Sequence, residues 1–194
     1  MRIIAGSKRG MNLFSPETDV SRPILDRVKG SLFSVLYNYG FPQDKRVADL
    51  FCGVGSLGLE AISRGAVSVT FIEKNQRIME VLKRNIEKAG FDKQSKVIRA
   101  NAFNVGAAAG ADGQAYDIIF VDPPYPLTKD AGAGSLLDGL LVLLERQLAA
   151  KGIVIVRTEE HTKLLERYGR LSVIEQRKWG SMTISILGRK KDDQ

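Results

Sequence analysis

Apolar residues fall along this chain in two alternating rhythms. Short apolar runs at Val47–Phe51, Val67–Ile72, Val97–Arg99, Asp117–Val121 and Gly152–Val156 predict strands, the first of them a buried parallel strand. Asp122-Pro123-Pro124 closes the fourth run, since no central strand continues through two prolines. Between the runs the period changes. From Asn75 to Ala89, residues Ile78, Val81, Leu82, Ile86 and Ala89 share one helical face, with Asn75 as N-cap and Gly90 as C-terminal stop. Val28, Leu32, Phe33, Leu36 and Tyr37 do the same for an amphipathic helix over Leu25–Tyr37. Further helices are predicted over Leu136–Leu148 and Thr158–Leu165. Leu171–Ile174 and Met182–Leu187 follow with no helical pattern between them and should pair antiparallel. Strands alternating with helices predict a doubly wound α/β sheet with an antiparallel strand near its end. Ile3, Ile4, Met11 and Leu13 around Gly10 predict a small hairpin. The expected organisation is one domain over 1–194, with 1–22 as an N-terminal hairpin extension and 23–194 as the main body.

Composition narrows the picture modestly. A chain of 194 residues that is 44% hydrophobic and 26% charged reads as a soluble globular protein. It contains no apolar run of the roughly 18 residues a membrane span needs, and its first residues lack a secretory apolar stretch. The single cysteine, Cys52, fits a reducing compartment, so the expected location is cytoplasmic. Charge adds more when divided. Residues 1–46 carry a net +4, residues 47–150 a net −1 and residues 151–194 a net +4. A nearly neutral middle between basic ends suits a body that works on a polyanion. Arg2, Lys8, Arg9, Arg22, Arg27 and Lys29 are the candidate phosphate contacts of the first segment.

Candidate chemistry begins at Gly53-Val54-Gly55-Ser56-Leu57-Gly58, which follows a predicted strand and opens a predicted helix. Glu73, ending the next strand, completes an adenosine-binding fingerprint: the glycines let backbone approach the ligand, and the acid accepts ribose hydroxyls. The fingerprint alone serves nicotinamide and S-adenosylmethionine cofactors equally. Asp49, inside the first strand, favours S-adenosylmethionine, because a carboxylate there faces a cationic ligand and would repel a pyrophosphate. Cys52, within the loop region, reads as a small buried thiol, His161 as a surface residue and Trp179 as core packing.

Asp122-Pro123-Pro124-Tyr125 decides the matter further, because it stands at the sheet edge where doubly wound folds bind ligands. The exocyclic amino group of a base is a poor nucleophile while its lone pair is delocalised into the ring. If the Asp122 carboxylate and the Pro123 carbonyl accept its two N–H groups, the nitrogen pyramidalises and its lone pair is released towards an electrophilic methyl. The prolines, Pro123 and Pro124, stiffen the turn so that both acceptors are pre-placed. Tyr125 offers a face for the base to stack on, worth roughly 1–3 kcal/mol. No metal and no nucleophilic side chain is required.

With these motifs in view, the chain resembles the RsmD-type family, the 16S ribosomal RNA guanine-N(2) methyltransferases. The likeness runs nearly end to end: Arg2-Ile3-Ile4-Ala5-Gly6 with Lys8-Arg9-Gly10, Arg22-Pro23 with Asp26-Arg27-Val28-Lys29 and Leu32-Phe33, Asp49 through Glu60, and Asp122 through Tyr125. It implies a Rossmann-like class I S-adenosylmethionine-dependent methyltransferase fold with a seven-stranded sheet and the N-terminal hairpin. It also implies cofactor contacts from Asp49, Phe51, Gly53, Gly55, Glu73 and Asp122, and adenine contacts from Asn101 and Ala102. The implied substrate is a guanine amino group in small-subunit ribosomal RNA, naked or in an assembling or assembled subunit. No protein partner, metal or membrane is implied. Ile24 stands where the family often has a hydroxyl residue, and Gly30 where a glutamate is common. Rival readings are a DNA adenine amino-methyltransferase, for which no target-recognition segment is present, and a protein-glutamine methyltransferase, which favours asparagine at position 122. Two others are a non-catalytic RNA-binding assembly factor on the same scaffold and a nicotinamide oxidoreductase.

Overall fold

The computed structural model describes residues 1–15, 24–108 and 113–189. Five parallel strands form one side of the sheet: β1 (Arg46–Leu50), β2 (Ser68–Glu73), β3 (Ser95–Arg99), β4 (Tyr116–Val121) and β5 (Leu148–Glu159). Helix α1 (Asp26–Asn38) precedes them in the chain, and α2 (Ser56–Ser63), α3 (Gln76–Ala89), α4 (Ala102–Val105) and α5 (Leu136–Gln147) lie between them. The C-terminal part adds β6 (Arg167–Tyr168), β7 (Leu171–Trp179) and β8 (Met182–Arg189). Strand order is β3-β2-β1-β4-β5-β8-β7-β6, with β8 antiparallel to both of its neighbours. The seven expected strands are present, and two-residue β6 adds a short eighth at the edge.

The continuous apolar runs reflect burial on both faces. Val47, Ile118, Phe120, Ile153 and Ile155 point into one core, shared with α1, α2, α3 and the hairpin. Ala48, Leu50, Ile119, Val121, Val154 and Val156 alternate with them into a second core under α5. Helix α3 begins and ends as the sequence predicts: the Asn75 side chain accepts from the Arg77 and Ile78 N–H groups, and Gly90 closes the helix in the left-handed region. In α1 the predicted face is buried apart from Tyr37, which is 78% exposed. Ile24, just before α1, is buried in the first core.

The predicted helix over Thr158–Leu165 does not form. Thr158 pairs with Thr183 and Glu159 with Met182, so the β8 ladder holds the backbone extended beyond the point expected for β5. A turn follows, and Leu164 and Leu165 are only partly buried, against the second core.

The N-terminal hairpin packs as part of the body. Arg2 and Asn12 form its antiparallel bridge, and Ile3 is fully buried in the first core. A Cβ on Gly6 would lie 1.7 Å from the Ser63 carbonyl oxygen, so only glycine lets the hairpin approach α2 this closely. Among the described residues no helix is long and apolar enough to cross a membrane.

Candidate active site

The chain turns sharply out of β1 at Phe51, a non-glycine residue with φ 56°. This turn sets the glycine loop across the C-terminal edge of the sheet. Asp49, 1% exposed, accepts the Gly58 N–H at 2.8 Å and so fixes the start of α2 over the strand end. A Cβ on Gly58 would meet the Phe71 ring at 2.3 Å, which is why helix and sheet come so close here. Glu73, at the end of β2, accepts the Gly53 N–H at 3.2 Å and the Asn75 N–H at 2.9 Å. Asp122 follows β4, beside β1, its N–H reaching the Leu50 carbonyl at 3.4 Å.

These carboxylates converge enough to feel one another. Burial, reinforced by the charges of Asp122 and Glu73, pushes the Asp49 carboxyl up to about 7, with the Gly58 N–H opposing. Burial also raises Asp122, and here the opposing influence is Arg157. The edge thus gathers the carboxylates of Asp49, Glu73 and Asp122 about the glycine loop, and at Gly53, φ 53°, no described atom beyond its chain neighbours lies within 4 Å of where a Cβ would stand. Such a set of carboxylate acceptors suits a ligand that brings positive charge and lies against the glycine backbone. A sulfonium-bearing adenosine meets that description; a pyrophosphate does not.

Arg157, near the end of β5, is the site residue the sequence reading missed. Its guanidinium makes an ion pair and hydrogen bond to Asp122 Oδ1 and sits 5.8 Å from the centre of the Tyr125 ring. A single arginine thereby touches both ends of the Asp-Pro-Pro-Tyr turn. The signal available was its position just beyond a predicted strand end, ahead of a segment misread as a helix. Pro123 is buried, and Tyr125 opens a single 3-10 turn, Tyr125–Leu127, which keeps the ring half-buried beside Arg157.

On the β3 side, Asn101 caps α4 by accepting the Phe103 N–H at 3.2 Å, and Ala102 is buried beneath it. The Phe103 ring packs on the Phe51 ring, centroids 4.9 Å apart, so an aromatic pair links the β1 and β3 loops. The Cys52 thiol is buried, and burial pushes its pKa well up, as expected of an unreactive core group. His161 is exposed, and Trp179 is half-buried against the first core.

The basic candidates divide. Lys8, Arg9 and Arg27 are at least partly exposed, and Arg2 is exposed while paired with Asp26 at 2.8 Å. Arg22 lies outside the described residues. Lys29 is a correction: it is fully buried, its Nζ 3.5 Å from Glu60 and donating to the Arg2 carbonyl and the Ser56 hydroxyl. A lysine so enclosed cannot reach phosphate.

Sheet order, glycine loop and the Asp122 turn together define the class I methyltransferase fold. The chain belongs to the family described as Conserved hypothetical protein 95, whose model matches residues 1–188, in agreement with the RsmD-type resemblance of its motifs. A Bacillus subtilis (strain 168) protein named "Putative rRNA methyltransferase YlbH" is 30% identical over 188 residues, 96% of this chain and 97% of its own. Ribosomal RNA small subunit methyltransferase D of Escherichia coli (strain K12) is 35% identical over 163 residues, covering 82% of this chain and 75% of its own. Among solved structures, "Putative methyltransferase yhhF from Escherichia coli" superposes with a TM-score of 0.80 at 31% identity, covering 98% of each chain.

Proposed function

We propose that this protein transfers a methyl group from S-adenosylmethionine to the exocyclic amino group of a guanine in small-subunit ribosomal RNA. The observation that carries the reading is the Asp122 carboxylate, held on Oδ1 by Arg157 at the edge where the glycine loop and Glu73 meet. The cofactor supplies an electrophilic methyl and a positive charge. Glu73 and the loop backbone hold its ribose, and Phe51 and Phe103 wall the adenine near Asn101 and Ala102. The Asp122 carboxylate and the Pro123 carbonyl accept the two N–H groups of the target amine and localise its lone pair. Tyr125 stacks the base after it leaves its helix. Lys8, Arg9 and Arg27, with Arg2, hold phosphates beside the site. Family membership and the curated relatives named for ribosomal RNA methylation support RNA as the substrate.

The test is twofold. Calorimetry should show S-adenosylhomocysteine binding to the wild type and, within a few-fold, to Asp122→Ala, while mass spectrometry of small-subunit RNA finds an N2-methylguanine made by the wild type alone. Turnover by Asp122→Ala near the wild-type rate removes the amine-acceptor role. Methylation found on a different atom removes the substrate assignment.

A further inference from the structure

Two buried side chains, Lys29 and Asn85, touch the N-terminal hairpin and the glycine loop at once. Asn85, fully buried on α3, accepts the Phe14 N–H at 2.7 Å through Oδ1. Its Nδ2 donates to the Phe14 carbonyl and to the Val54 carbonyl, both at 3.1 Å. Lys29, fully buried on α1, donates to the Arg2 carbonyl at 2.7 Å and to the Ser56 hydroxyl at 3.0 Å. Arg2 and Phe14 lie near the two ends of the hairpin, and Val54 and Ser56 flank Gly55 of the loop. Glu60 completes the junction, its carboxylate taking the Ile4 and Ala5 N–H groups while facing Lys29.

Buried polar groups tolerate little misplacement, because a displaced donor or acceptor is stranded without water. A shift of the hairpin therefore cannot be absorbed at Phe14 or Arg2 alone; it is passed to the carbonyl of Val54 or the hydroxyl of Ser56. We propose that Lys29 and Asn85 are positioning residues that join hairpin and glycine loop into one unit, so that RNA held on the hairpin and cofactor held by the loop bind cooperatively. The inference rests on the reading that the hairpin grips RNA.

The experiment is calorimetry of S-adenosylhomocysteine on the full chain, alone and with saturating transcribed small-subunit ribosomal RNA. In the wild type, RNA should tighten the ligand by about fivefold or more. In Asn85→Ala the ligand alone should bind roughly tenfold more weakly, as expected for loss of a buried hydrogen bond to the loop. The tightening by RNA should fall to about one, while the salt slope of RNA binding stays as in the wild type. In turnover, KM for S-adenosylmethionine should rise with kcat within about twofold. Lys29→Met is the second variant; Glu60 then keeps Arg64 and two backbone donors. Ser63→Ala is the control, since Ser63 Oγ bonds Ala5 and Lys8 of the hairpin but not the loop. It should lower stability and leave the tightening intact. Wild-type-like tightening in both Asn85→Ala and Lys29→Met, or none in the wild type, overturns the proposal. Failure of the RNA-grip reading shows elsewhere, as unchanged RNA affinity and salt slope when Lys8 and Arg9 are neutralised.

Discussion

With its carboxyl pushed up to about 7, Asp49 titrates in the neutral range. The folded protein without ligand holds this proton more tightly than the unfolded chain, so Asp49 favours folding increasingly as pH falls from about 7 towards the ordinary carboxyl range. A cationic ligand reverses the preference by favouring the carboxylate. S-adenosylmethionine should therefore bind several-fold more weakly at pH 6 than at pH 8, with buffer-dependent heat as the proton leaves. Asp49→Asn, which still accepts the Gly58 N–H, should flatten this dependence; calorimetry in two buffers checks both. Arg157 makes a companion case. Removing its charge as Arg157→Met lets burial raise Asp122 further, so the acid limb of kcat should move to higher pH, whereas Arg157→Lys should restore part of the shift. An unmoved limb would show that Arg157 does not act through Asp122. Neither Arg157 nor Lys29 could be matched to its partner from sequence, for one reason. Each is defined by a partner far along the chain, Asp122 for Arg157 and Ser56 and Glu60 for Lys29, and local pattern carries no trace of such pairs.

At the scale of elements, glycines on two helices give opposite expectations. Gly58→Ala would drive a methyl to 2.3 Å from the Phe71 ring and 2.9 Å from Val69. Overpacking of this kind costs about 1–3 kcal/mol, or roughly 2–4 °C of Tm per kcal/mol in a chain of this size. Gly30, inside α1, has no described atom beyond its chain neighbours and its own helix backbone within 4 Å of its Cβ position, so Gly30→Ala should stabilise by about 0.5–1 kcal/mol. Thermal unfolding followed by circular dichroism measures both. The elements themselves were largely legible because local chemistry wrote them. Asn75 and Gly90 bound α3, and the prolines after Asp122 end β4. Thr158 and Glu159 show the limit. Their helical look was overruled by a ladder to Thr183 and Met182, a tertiary pairing no window of the sequence contains.

For the molecule as a whole, the proposed RNA grip of the exposed hairpin cations makes a prediction about salt. Neutralising Lys8 and Arg9 together should weaken RNA binding and lower the salt slope by about 0.7–0.9 for each phosphate left unneutralised, with cofactor affinity unchanged. Fluorescence anisotropy across a salt series reads both quantities. The place of β8 in the sheet has a consequence of a different kind. Strand β8, the last among the described residues, lies between β5 and β7 and not at an edge. Synthesis delivers β5, β6 and β7 first, and until Met182–Arg189 emerges, β5 presents an open row of donors and acceptors while β7 and β6 have nothing to join. The sheet closes only after Met182–Arg189 has left the ribosome. Premature termination ahead of Met182 leaves an unzipped sheet exposed to other nascent chains.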